Sequence, residues 1–253
     1  MTRALQWHSA GEEEIPAGLE WLSARERERA GRMRYAKRRT DFLLGRFTAK
    51  TALLTALGLA AAGDVTALAR VEIANAADGA PDPQVDGREA PLSISMTDRA
   101  GWAVCLLGPA GRSLGCDLEL VEPRTELFIR DYLTPHEADL ILAEPAGPGR
   151  DLSANLCWSA KESALKVLRT GLRRDTRSVE VAQGTSSVEG WREIAITVDG
   201  ERRFPGWWQR FGDFVLTVAA DDGDPFPPPR PLVQPPGLAA GSPSHGWMRR
   251  PLV

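Results

Sequence analysis

Two acidic side chains two positions apart, and a third 45 positions after the first (162 − 117), set the chemical question in this chain. Asp117 and Glu119 lie in Leu114-Gly115-Cys116-Asp117-Leu118-Glu119-Leu120, and Glu162 lies in Trp158-Ser159-Ala160-Lys161-Glu162-Ser163-Ala164-Leu165-Lys166. In an extended strand alternate side chains share a face, so Asp117 and Glu119 point one way while Cys116, Leu118 and Leu120 pack the other. Neighbouring carboxylates repel unless a cation or a shared proton stabilises them, and burial raises that cost. If strand and helix converge, Asp117, Glu119 and Glu162 supply three hard oxygen ligands, which suit Mg²⁺ or Mn²⁺ and not zinc. Such ions complete their shell with water and phosphate oxygens. Lys161 and Lys166 beside them would neutralise a polyphosphate and assist its leaving group, as metal-assisted phosphoryl transfer requires. The plainer reading of the same acids is an exposed edge strand with solvated carboxylates.

The elements that must position these groups are partly legible. Ser159-Ala160-Lys161-Glu162 fits a capping box, which predicts a helix starting at Ser159, with Glu162 and Lys166 forming an i,i+4 ion pair. An internal echo accompanies it. Thr48-Ala49-Lys50-Thr51-Ala52-Leu53 resembles Ser159-Ala160-Lys161-Glu162-Ser163-Ala164-Leu165 at an offset of 111 (159 − 48). Val71-Glu72-Ile73-Ala74 is echoed by Val179-Glu180-Val181-Ala182, and Gly101-Trp102-Ala103-Val104 by Gly212-Asp213-Phe214-Val215, in the same order. A duplicated unit of one long helix followed by strands is implied, giving an α+β fold of two similar halves that meet near Gly111 to Leu114. The boundaries are then 1–112, 113–222 and a tail from 223 to 253. Nine of the 19 prolines fall between Asp221 and Val253, which predicts an extended or disordered tail outside the fold. Ala77 to Ala90 reads as a long loop between the strand candidates VEIA and PLSIS.

Composition bounds the function. With 43% hydrophobic and 26% charged residues the chain can build a sizeable core. A net charge of -3 and a pI near 5.8 give no global case for nucleic-acid or anionic-membrane binding, so any phosphate chemistry is local. Cys105, Cys116 and Cys157 lack metal or disulfide spacing and read as small buried hydrophobes in a reducing cytoplasm. No signal peptide or membrane span is read from the sequence. His8, His136 and His245 read as surface or loop residues, Glu137 as a helix first-turn residue with an auxiliary metal role as the alternative, and Trp207 and Trp208 as the cap of the second half's core, with a partner-facing surface as the alternative. Arg38 and Arg46, eight apart in a basic stretch, share one side of a helix and could grip one anion, although a solvated helix face explains most of that charge.

Gly115-Cys116-Asp117-Leu118-Glu119-Leu120, followed after forty-odd residues by Trp158-Ser159-Ala160-Lys161-Glu162-Ser163-Ala164-Leu165-Lys166, resembles the signature of the 4'-phosphopantetheinyl transferases, specifically the larger surfactin-type enzymes, pseudo-dimers of two α+β halves. The resemblance runs from the basic stretch ending at Arg46, through Pro91 to Ser95, to about Ala220. It implies Mg²⁺-dependent transfer of phosphopantetheine from coenzyme A to a serine of an apo acyl or peptidyl carrier protein, releasing 3',5'-ADP, by a cytoplasmic monomer serving fatty-acid, polyketide or nonribosomal peptide pathways. It further implies that Asp117, Glu119 and Glu162 hold Mg²⁺, that Lys161, Lys166 and Ser95 contact coenzyme A, and that Arg38 and Arg46 bind its 3'-phosphate. Lys166 would assist the departing phosphate, and Glu162 or a metal-held water would be the base. Thr51, the first-half counterpart of Glu162, is uncharged, which implies one active site at the junction. Met96 stands where the family reads His, and Ala80 where it reads Lys. Arg88 or Arg99 could compensate, and the alternative is a degenerate homologue that binds coenzyme A or a carrier protein without efficient transfer.

Overall fold

A computed structural model describes residues 4–60, 64–221 and 225–246. In chain order these form β1 (Gln6–Gly11), α1 (Ala24–Gly31), α2 (Ala36–Ala56), β2 (Val71–Asn75), β3 (Pro81–Val85), β4 (Arg88–Glu89), β5 (Leu92–Arg99), β6 (Trp102–Pro109), β7 (Leu114–Leu120), α3 (Glu126–Tyr132), α4 (Pro135–Ala143), α5 (Pro148–Val167), β8 (Val179–Val188), β9 (Trp191–Val198), β10 (Arg202–Phe211), β11 (Phe214–Ala220) and β12 (Arg230–Pro231). The mixed α+β class is as expected.

Three sheets form, ordered β12-β1-β6-β5, β7-β11-β10-β9-β8 and β2-β3-β4. Period-two alternation sorts their side chains into layers. Ala103, Cys105 and Leu107 of β6 pack with Leu44, Phe47 and Leu53 of α2. The intervening Trp102, Val104 and Leu106 meet Cys116, Leu118 and Leu120 of β7 and Phe214, Leu216 and Val218 of β11 in a core between the two larger sheets. Val215 and Ala219, on the opposite face of β11, pack against Ala160 and Ala164 of α5. The order is therefore helix, sheet, sheet, helix, and Asp117 and Glu119 point toward α5.

Helix α5 begins at Pro148, not at Ser159. Ser159 is a mid-helix residue whose Oγ donates to the Asp117 carbonyl (3.1 Å) and lies 2.9 Å from Thr217 Oγ1. The sequence pattern matched a cap, but the serine satisfies itself across the helix–strand contact. Real capping boxes stand at Ser23 with Glu26 on α1 and at Thr134 with Glu137 on α4.

The echo in the sequence has a counterpart in the packing. Lys50 Nζ lies 2.6 Å from Glu26 Oε2, and Lys161 Nζ 2.8 Å from Glu137 Oε2; both lysines are fully buried. Both pairs stand at the same offset (161 − 50 = 111; 137 − 26 = 111). Glu26 Oε1 also accepts from Ile73 N–H and Glu137 Oε1 from Val181 N–H, so each pair bolts a helix start to the first strand after the long helix.

Three expectations are corrected. The stretch from Ala77 to Ala90 holds β3 and β4, which pair antiparallel with β2 into a small sheet; prolines 81 and 83 hid the strand. The described tail, 225–246, is extended but not disordered. Phe226 and Leu238 are buried, β12 runs parallel to β1, and the indoles of Trp207 and Trp102 donate to the carbonyls of Phe226 and Ser242. Residues 222–224 and 247–253 of the predicted tail lie outside the described residues. His8 is a half-buried residue of β1 whose pKa burial lowers to about 4, and so is no loop histidine. Among the described residues no helix is long and apolar enough to cross a membrane.

Candidate active site at the sheet junction

Strand β7 pairs with β11 along one edge, and its other edge faces β5. Cys116 N–H donates to Ser95 Oγ (3.1 Å) and Leu118 N–H to Thr97 Oγ1 (3.2 Å), so two side chains of β5 replace the missing ladder. The acids therefore do not sit on an exposed edge strand. Asp117 is only 6% exposed. Helix α5 closes the third side because Gly115 permits it: a Cβ there would stand 1.8 Å from the Ser163 carbonyl oxygen.

Asp117 Oδ1 accepts from Lys166 Nζ (2.9 Å) and Thr97 Oγ1 (3.2 Å). Its Oδ2 is buried with no hydrogen-bond partner, and so is Glu162 Oε1. Burial first, then the charges of Asp117 and Glu119, raise the Glu162 pKa to about 7. Orphaned buried carboxylate oxygens are costly, and a hard cation is the simplest group that would satisfy both. Glu119 differs. Its Oε1 accepts from Trp158 Nε1 (2.8 Å), and its Oε2 lies 3.0 Å from Arg124 and 3.2 Å from Arg99. Burial and then Asp117 raise its pKa. Among the described residues no three His, Cys, Asp or Glu side chains are gathered as a ready metal centre. Asp117 and Glu162 each keep one buried oxygen without a partner, whereas both oxygens of Glu119 are engaged by Trp158, Arg124 and Arg99.

Lys166 faces Asp117 rather than Glu162, donating also to the Cys116 carbonyl (2.8 Å), so the expected Glu162–Lys166 pair gives way to a helix–strand bridge. Its pKa is raised: burial pulls it down, but the charge and hydrogen bond of Asp117, with Cys116 and Glu162, together outweigh that. Lys161 is corrected more fully. It points to the other side of α5, sealed with Glu137 and the carbonyls of Thr176 and Val179, because adjacent helix positions are about 100° apart. It does not line the cleft beside Lys166, and Glu137 is its buried partner.

A cleft of about 470 Å³ opens beside Lys166. Ser95, Met96 and Ala80 line it, as do Arg112, Arg169 and Arg173. Arg38 and Arg46 are not among its lining residues. Arg38 is exposed on α2, and Arg46 is buried, 3.7 Å from Glu26 and bonded to Asn75, so they do not grip one anion together. Arg99, committed to Glu119 and to Glu122 at 3.4 Å, does not replace the missing His and Lys. Thr97, Trp158, Arg124, Arg169 and Arg173 were missed by the sequence. Trp158 heads the quoted motif, and Arg169 and Arg173 fall in the basic run Arg169-Thr170-Gly171-Leu172-Arg173-Arg174.

Residues 113–219 match the family model of the 4'-phosphopantetheinyl transferase superfamily. That span runs from the turn before β7 into β11 and contains Asp117, Glu119, Glu162 and Lys166. No curated protein matches the chain.

Proposed function

We propose that the chain is a surfactin-type 4'-phosphopantetheinyl transferase, moving phosphopantetheine from coenzyme A to a serine hydroxyl of an apo acyl or peptidyl carrier protein. The observation that carries this reading is the pair of unpartnered buried oxygens on Asp117 and Glu162 beside Lys166, within the span that matches the superfamily. Asp117 and Glu162 would hold Mg²⁺, with Glu119 as the third carboxylate once an arginine lets go. Bound there, the ion would neutralise the pyrophosphate of coenzyme A and so favour attack at phosphorus. Glu162, or a water held by the metal, would take the proton of the incoming serine hydroxyl. The serine oxygen forms a bond to the phosphorus that carries pantetheine, and the bond from that phosphorus to the bridging oxygen breaks. Lys166 stabilises the charge that leaves with 3',5'-ADP.

Ser95 and the cleft walls would orient coenzyme A. The two halves are read as copies of one unit, 1–112 and 113–222, related by a pseudo-twofold axis and acting as a monomer, with one site because Thr51 replaces the glutamate. Three free, buried thiols suit a reducing cytoplasm. Met96 and Ala80 in the cleft wall favour a second reading, a protein that binds coenzyme A or a carrier without efficient transfer. Release of 3',5'-ADP from coenzyme A, followed with and without an apo carrier protein for the wild type and Glu162→Gln, separates the two. Carrier-dependent release lost in the variant supports the transferase; binding of coenzyme A without release supports the second reading.

A further inference from the structure

Glu119 is held differently from the other two carboxylates of the site. Trp158 Nε1 donates to its Oε1 at 2.8 Å, and Arg124 Nη2 donates to its Oε2 at 3.0 Å. Arg99 Nε also lies 3.2 Å from Oε2, but that nitrogen is buried without a hydrogen-bond partner, so its approach is an ion pair without a directed bond. The directed, charge-assisted bond on Oε2 is therefore that of Arg124.

Arg124 is itself fixed from two further sides. Its Nε donates to Asn155 Oδ1 at 2.7 Å, and its guanidinium carbon lies 4.7 Å from the centre of the Phe128 ring. Asn155 is fully buried on α5, and its Nδ2 donates to the carbonyls of Glu122 and Asp151, each at 2.7 Å. Both amide hydrogens and the amide oxygen of Asn155 are thus engaged, so the asparagine is a fixed anchor. A guanidinium seated between that anchor and an aromatic face keeps its place whether or not Glu119 is bonded to it.

We propose that Arg124 is a positioning residue that acts through Glu119: it latches the carboxylate as its own counter-ion, and a divalent cation gains the third carboxylate only by winning it from the guanidinium. The assignment rests on the metal site proposed above and names the arginine that controls it. Asp117 and Glu162 each keep an unpartnered buried oxygen, whereas Glu119 has none. A site whose third member is mostly in a non-binding arrangement shows a weaker apparent affinity, in proportion to the fraction that is competent. Arg124 thereby sets the Mg²⁺ affinity of the protein alone.

The test is calorimetric binding of Mg²⁺ alone to the full chain and to its Arg124→Gln, Glu119→Gln and doubly substituted variants, with melting temperatures to check each fold. Arg124→Gln is expected to tighten Mg²⁺ binding by roughly tenfold, the scale of one charge-assisted hydrogen bond. In the Glu119→Gln background the same substitution is expected to change the affinity by no more than about threefold, the share of the lost positive charge alone. Equal tightening in both backgrounds reduces Arg124 to a repelling charge and overturns the latch. Unchanged or weaker Mg²⁺ binding by Arg124→Gln overturns it as well, since the arginine would then support the site rather than compete for it. The wild type offers a second readout: the indole N–H resonance of Trp158, assigned by its loss in Trp158→Phe, should shift as Mg²⁺ is added, because its acceptor Glu119 turns. A resonance unmoved at saturating Mg²⁺ overturns the latch. Mg²⁺ bound by neither the wild type nor Arg124→Gln overturns the metal site itself, whereas Mg²⁺ binding indifferent to Arg124 overturns only the latch.

Discussion

Lys166 Nζ lies 2.9 Å from Asp117 Oδ1, tying helix α5 to strand β7 at the very carboxylate whose other oxygen is buried and unpartnered. The lysine neutralises half of what burial demands and leaves the rest for a ligand. Replacing it with Met, which matches its length without charge, is expected to lower kcat by at least about 10²-fold, the scale of losing one preorganised charge at a leaving group. Circular dichroism of the variant should remain that of the wild type. A kcat within a few fold of wild type would remove Lys166 from the chemistry.

Glu162 makes stability depend on pH. Its folded pKa is about 7 against an ordinary value of 4.5, so between these values the folded chain binds more protons than the unfolded one. The glutamate's contribution is therefore fully present below about pH 4.5 and lost as pH rises through about 7. Comparing the melting temperature of Glu162→Gln with the wild type across this window isolates the effect: the wild type should lose ground to the variant as pH rises. Adding Mg²⁺ above pH 7 should restore the wild type and leave the variant unmoved. A wild type indifferent to Mg²⁺ would leave the two orphaned oxygens without their cation.

Lys161 is a structural residue, and Lys161→Met should show it. Removing one member of a buried ion pair strands the other, here Glu137, at a cost of about 3–5 kcal/mol. Denaturant unfolding should register that loss, while KM for coenzyme A of the folded enzyme stays close to wild type. A raised KM at unchanged stability would reverse this assignment.

Gly115→Ala tests the closeness of α5 to β7. With the added methyl 1.8 Å from the Ser163 carbonyl, backbone must move, since nothing flexible can yield. We expect loss of transfer together with destabilisation of about 1–3 kcal/mol or more, the cost of overpacking. Unaltered activity would show that the helix position is not critical.

Met96→His tests the cleft wall. Met96 lines the cleft, with its methyl group 3.2 Å from the position of a Cβ on Gly45, and offers no hydrogen-bond donor. Histidine there should tighten coenzyme A binding, measured by calorimetry; unchanged affinity would mean that other residues already fill the role.

Much of the site was legible because it depends on local spacing. The alternation through Asp117 and Glu119 located β7 and their shared face, and Glu162 with Lys166 located the face of α5 that turns toward Asp117. What failed depended on partners distant in sequence. Lys161 and Lys166 look alike in the chain, and only Glu137, 24 residues before Lys161 (161 − 137), decides that Lys161 turns inward. The Ser159 cap was plausible until the helix proved to start at Pro148. The tail has few apolar residues, yet Phe226 and Leu238 suffice to anchor it because Trp207 and Trp102 wait for their carbonyl partners.

The central claim meets its most direct test in mass spectrometry of apo carrier proteins incubated with the purified chain, coenzyme A and Mg²⁺. The account predicts a phosphopantetheine adduct on a carrier serine, dependent on Mg²⁺ and absent with Glu162→Gln. No adduct across a broad panel of carriers, from a protein that still binds coenzyme A, would contradict it.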